Sequence, residues 1–113
     1  MTHTTKRKIV VDNTEYGWCI RGNDLECKGR YITIYKQSVN GQTLYLDPFP
    51  WGIEIRPKTV REAILFALQN NWNPVVNSYP MYLGFYNNSL IVLPKGIKST
   101  FEYQESLFKW VQP

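Results

Sequence analysis

Arg56 to Pro74, RPKTVREAILFALQNNWNP, is the stretch that decides the fold. Val60, Ala63, Ile64, Ala67 and Leu68 fall at offsets 0, 3, 4, 7 and 8, one wide apolar stripe along a helix. Thr59-Val60-Arg61-Glu62 has the form of a capping box. In it the Thr hydroxyl accepts from the N–H of Glu62, and the Glu side chain reaches back to the N–H of Thr59. Asn70-Asn71 tolerates the left-handed conformation that ends helices, Trp72 can fold back onto the last turn, and Pro74 prevents continuation. The prediction is one well-capped amphipathic helix over about 60–71, whose stripe needs an apolar face to cover it.

Upstream, the chain reads as strands. KRKIVV is β-branched, DNT is a turn, and EYGWCIR is its hairpin partner, with Tyr16, Trp18 and Ile20 on one face by period two. RYITIYK places Ile32 and Ile34 on one face and Tyr31, Thr33 and Tyr35 on the other. SVNG supplies an Asn-Gly turn, TLYLD a fourth strand, and IEIR a short fifth. DPFPWG between the last two pairs badly, because its prolines lack donors. Downstream, MYLGFY and SLIVL flank Asn87-Asn88 as a second hairpin. Ser99-Thr100-Phe101-Glu102 resembles another capping box and predicts a short C-terminal helix. The expected class is α+β: an antiparallel β meander, the helix packed on one face, then the later hairpin and the terminal helix.

With 113 residues the chain has room for one core, so 1–113 is read as a single domain with residues 1–5 frayed. The formal charge is +4, but residues 1–56 hold eight Lys/Arg against six Asp/Glu and residues 57–113 hold five against three. Each half is therefore +2, with no basic tail or block. The one basic cluster, Lys6-Arg7-Lys8, lies on the first strand, where lysines guard sheet edges. MTHTTKRKIVV has no continuous apolar run behind its positive residues, so no signal peptide is expected. With no membrane-length apolar run either, the expected location is cytoplasmic. Cys19 and Cys27 are read as free thiols in a reducing compartment, although a bridge between them is also open.

The inventory for catalysis is thin. The one histidine, His3, lies in the terminus, which leaves a Cys nucleophile without an ordered base and a zinc site short of ligands. No metal and no cofactor are expected. Asp24, Glu26, Asp47 and Glu54 offer paired carboxylates only if strand ends bring them together. PKGIKST is not a phosphate loop, since Ile97 separates the Gly from the Lys. Arg56, Lys58 and Arg61 surround the predicted helix start and could hold an anion there, or simply extend into water. Tyr31 and Tyr35 could stack bases or pack beneath a loop. Trp51, in DPFPWG, is either a plug for the core or a contact residue.

The thirty-two residues from Ala63 to Pro94 carry no charge and keep six asparagines. Helix and strand account for about half; NNWNPVVNSYP is neither. Loss of charge with aromatics and amides retained is the composition of an interface core. The alternative is a loop laid over the sheet. Trp72, Asn73, Asn77 and Tyr79, with Trp51, are the candidate partner-binding residues.

The order Lys-Ile-Val-Val, Tyr16-Gly17-Trp18, Ile32-Thr33-Ile34, then Arg56-Pro57-Lys58-Thr59-Val60 through Ala67-Leu68 to Trp72-Asn73-Pro74 resembles a set of short bacterial proteins. These pair a Tyr-x-Trp hairpin with a Pro-x-Thr-Val helix ending in Trp-x-Pro. The resemblance spans about residues 6–74 and implies a bacterial origin and an architecture, with no established activity and no catalytic residues. The expected function is non-enzymatic: binding another protein, or a second copy of itself, in an adaptor or immunity-like neutralising role. The alternative is a sequence-tolerant nucleic-acid binder using Arg56, Lys58, Arg61 and exposed tyrosines. An enzyme with an unrecognised carboxylate site stands third.

Overall fold

The structure is a computed structural model that describes residues 6–22, 30–36, 39–47, 56–87 and 89–111. Its strands are β1 (Arg7–Val11), β2 (Thr14–Gly22), β3 (Arg30–Lys36), β4 (Leu44–Leu46), β5 (Met81–Tyr86) and β6 (Ser89–Val92). Helix α1 (Pro57–Gln69) lies between β4 and β5, and α2 (Thr100–Val111) follows β6. The six strands form one sheet in chain order. The α+β class, the second hairpin and the terminal helix are as expected. The expected strand IEIR spans 53–56, of which only Arg56 lies within the described residues.

Strands β1 to β4 form the expected antiparallel meander, and the later hairpin joins it by a parallel seam. β4 and β5 pair in parallel, Leu44 with Met81 through Leu46 with Leu83, so the sheet is mixed. A helix long enough to cross the sheet lies between them, and such a crossover returns the chain in its original direction. Val11 and Thr14 close the first hairpin over Asp12-Asn13, both at positive φ (50° and 65°), as the tightest hairpin turns require.

The helix stripe meets its face as the periodicity demands. Val60, Ala63, Ile64 and Ala67 are buried against Tyr16 and Trp18 of β2, Ile32 and Ile34 of β3, Leu44 and Leu46 of β4, and Leu83 of β5. Each such Val, Leu or Ile contributes about 1.5–3 kcal/mol when fully withdrawn from water. Burial pushes the phenol of Tyr16 above its ordinary pKa, with a hydrogen bond to Thr14 opposing and the Asp12 charge adding.

The helix begins earlier than the capping box predicts. Pro57 occupies the first helical position, where its fixed φ is preorganised and its missing N–H costs nothing, so Arg56 becomes the N-cap. Thr59 consequently sits in the first turn, and its Oγ1 accepts from the N–H of Arg56 (3.3 Å). At the other end the signals hold. Asn71 is left-handed (φ 75°), and the N–H of Trp72 donates to the carbonyl of Ala67 (2.9 Å), a Schellman closure.

The start of α2 is tied into the sheet. Ser99 Oγ accepts from the N–H of Glu102 (3.1 Å), while Glu102 Oε2 accepts from Lys98, one residue before the expected Ser99. Thr100, fully buried, donates its N–H to Asp47 Oδ2 (2.7 Å) and accepts from the N–H of Phe85 (3.0 Å). Its hydroxyl thus takes the position a longer β4 would fill beside β5. Gly84 permits this, since a Cβ there would lie 2.5 Å from Thr100 Oγ1.

Candidate interaction surface

Behind the uncharged segment stands Gln42, just before β4. Its Nε2 donates to the carbonyl of Tyr79 (2.8 Å), and its Oε1 accepts from the N–H of Asn73 (2.9 Å). Its own carbonyl accepts from Trp72 Nε1 (2.9 Å). Gly41 beside it meets the main chain of Pro74 so closely that no side chain would fit. The Asn-Gly dipeptide was expected to make a turn. Among the described glycines only Gly96 has positive φ, and the reason for glycine at position 41 is close approach.

Trp72 corrects the sequence reading. It is 3% exposed and packs against Tyr16 with ring centroids 5.7 Å apart, so it anchors the segment from within and presents nothing to a partner. The Schellman turn points it inward. The chain beyond stands outside. Asn73 folds into a short turn, its Oδ1 accepting from Val75 (3.2 Å), and Pro74 is buried. Val75 and Val76 are about half exposed, Asn77, Ser78 and Pro80 are exposed, and Tyr79 is 83% exposed. Lys95 Nζ lies 5.7 Å from the Tyr79 ring centre, within reach of its π face. The segment is thus anchored at Trp72 and exposed from Val75 to Pro80. Trp51 lies outside the described residues.

Sequence reasoning missed Val75, Val76, Gln42 and Lys95. The valines carried a signal, two adjacent apolar residues in a stretch without strand periodicity. Gln42 and Lys95 carried none, because their roles arise only when distant segments meet.

Arg56, Lys58 and Arg61 are exposed around the start of α1, which has no acidic residue in its first turn. Along the axis of α1 the last helical residue, Gln69, lies about 17 Å beyond Lys58 and about 12 Å beyond Arg61, so the cations gather at the helix start and the uncharged segment follows its end. The tyrosines lie on the other side of the sheet. Tyr31 and Tyr45 are 5.9 Å apart and Tyr45 and Tyr82 stack at 5.0 Å, on the face opposite α1 by strand alternation. A nucleic acid strand resting on those rings would not meet the cations of α1.

Asp47 has a structural task at the start of α2, while Asp24, Glu26 and Glu54 lie outside the described residues. Among the described residues no three of His, Cys, Asp and Glu converge as metal ligands would, and no helix is long and apolar enough to cross a membrane. Cys19 is a free, buried thiol. Comparison with known protein families, with curated proteins and with solved structures returns no match.

Proposed function

We propose that this is a non-enzymatic binding protein, adaptor-like or immunity-like, that captures a partner protein on the segment from Asn73 to Pro80. The observation that carries this reading is the exposure of Val75, Val76, Asn77 and Tyr79 together on a segment without charge, anchored from behind by Trp72 and Gln42. A loop that only meets water gains little from such anchoring. A binding loop gains more, since ordering beforehand lowers the entropy lost on association. The cation beside Tyr79 and the net charge of +4 suit a partner with acidic residues around an apolar centre.

Tyr79→Glu and Asn77→Lys test it. Both side chains stand in water, so folding and melting temperature are expected to stay within experimental error of wild type. Capture of a partner, recovered from extract and then reconstituted from purified components, is expected to weaken by roughly a hundredfold for Tyr79→Glu, which removes the ring and sets a carboxylate against the partner's acidic residues, and less for Asn77→Lys, whose ammonium meets no like charge. A lower melting temperature with unchanged capture would make the segment a cover and end the proposal.

A further inference from the structure

The two edges of the sheet are protected very differently. β1 carries Arg7 and Lys8, the latter paired loosely with Glu15 (3.9 Å) and the former over the ring of Trp18. β6 is Ser89-Leu90-Ile91-Val92, with no charge anywhere from Met81 to Pro94, and among the described residues no strand pairs beyond it. An unguarded apolar edge invites another strand.

We infer that β6 pairs antiparallel with β6 of a second copy, joining two six-stranded sheets into one. The register follows from the backbone. Tyr86 pairs with Ser89 and Gly84 with Ile91, and the N–H of Leu93 donates inward to Tyr82 (2.8 Å). Alternation then turns the N–H and C=O groups of Leu90 and Val92 outward. A two-fold axis through Ile91 sets Leu90 of each copy opposite Val92 of the other, so both pairs exchange N–H···O bonds. Ile91 meets its own counterpart between them. From Leu90 to Val92 every facing side chain is then apolar, and this part of the strand is complementary to itself.

The side chains agree with this geometry. Leu90 lies on the α1 face, beside an open groove of about 450 Å³ lined by Glu62, Leu65, Phe66, Gln69, Phe85, Ser89 and Leu90. In the paired arrangement Val92 of the second copy, which shares that face and is 38% exposed in the monomer, stands next to Leu90 and over the groove. Pairing β6 with β1 would instead set the cations of β1 beside an uncharged strand, stripping water from them with no new partner in β6. The symmetric arrangement also closes, leaving only the charged β1 edges outward.

The test is Val92→Glu with Val10→Glu as control. A lysine at position 92 could find Glu62 in the groove; a glutamate cannot. Val10 is 59% exposed on the opposite edge, so it takes the same charge away from the proposed contact. Light scattering after size exclusion, over a concentration series to the millimolar range, is expected to show a dimer for wild type and Val10→Glu. For Val92→Glu the dimer should weaken roughly a hundredfold. Hydrogen–deuterium exchange on wild type supplies the second arm and needs no variant to fold: amides of Leu90 and Val92 should become protected as concentration rises. A wild type that stays monomeric at every concentration, a dimer indifferent to Val92→Glu, loss of dimer in Val10→Glu, or amides of Leu90 and Val92 that exchange alike at all concentrations would overturn the inference. Capture of a foreign strand by a monomeric wild type would do so too. Tyr79→Glu should leave the dimer intact, so this inference and the partner-capture reading fail separately.

Discussion

Trp72→Ala is expected to lower stability by about 3–5 kcal/mol, the usual cost of emptying a large aromatic site in a core. The indole is 97% withdrawn from solvent, packs on Tyr16 and donates to the carbonyl of Gln42. Its removal leaves a cavity at the end of α1 and orphans an acceptor in one step. Small domains have total stabilities of about 5–15 kcal/mol, so the variant should melt far below wild type and lose much of its near-ultraviolet dichroism. Because the same ring anchors Asn73–Pro80, partner capture should fall as well, in contrast to Tyr79→Glu, which touches capture alone. A melting temperature within a few degrees of wild type would show that Trp72 does not anchor the segment.

Gly41→Ala should be nearly as damaging, by about 1–3 kcal/mol or more, since overpacking against main chain leaves no flexible side chain to yield. A methyl group at this position would occupy the carbonyl of Pro74 and stand 3.0 Å from the nitrogen of Val75. Relief requires the loop before β4 and the segment after α1 to part, which breaks the three hydrogen bonds of Gln42. A chemical denaturation midpoint unchanged by the substitution would contradict the close approach. Gln42→Ala is a milder version of the same separation.

The helix, the first and last hairpins and the start of α2 were legible because each is written in local chemistry. The stripe from Val60 to Ala67, the left-handed Asn71 and the paired Asn87-Asn88 need no distant partner to be understood. The start of α1 was misjudged by three residues because Thr59 matched one motif while Pro57 satisfied another, and the ring of proline imposes its φ where a hydroxyl only prefers a position. The parallel joint of β4 and β5 was not legible, since three-residue strands carry too little pattern to give a direction. For the candidate surface, absence of charge located the segment but could not orient it. Whether Trp72 or Tyr79 faces inward depends on Gln42, thirty residues before Trp72 and thirty-seven before Tyr79. Distances of that kind are set by the whole fold.

The parallel joint also dictates an order of events. The β1–β2 and β5–β6 hairpins each close over two residues, an event of microseconds, whereas β4 and β5 must find each other across the thirty-four residues from Asp47 to Pro80. Loop closure has to be complete before a seam of only three residue pairs gives anything back. Assembly is therefore expected to proceed from both halves of the chain toward the middle, with the seam forming last. In stopped-flow refolding, strand and helix signals should precede the change in indole fluorescence that reports Trp72 settling on Tyr16. If the two signals rise together, assembly is a single concerted step. On unfolding the same seam is expected to part first, exposing the main chain of β4 and β5 to proteolysis while the hairpins on either side are still whole.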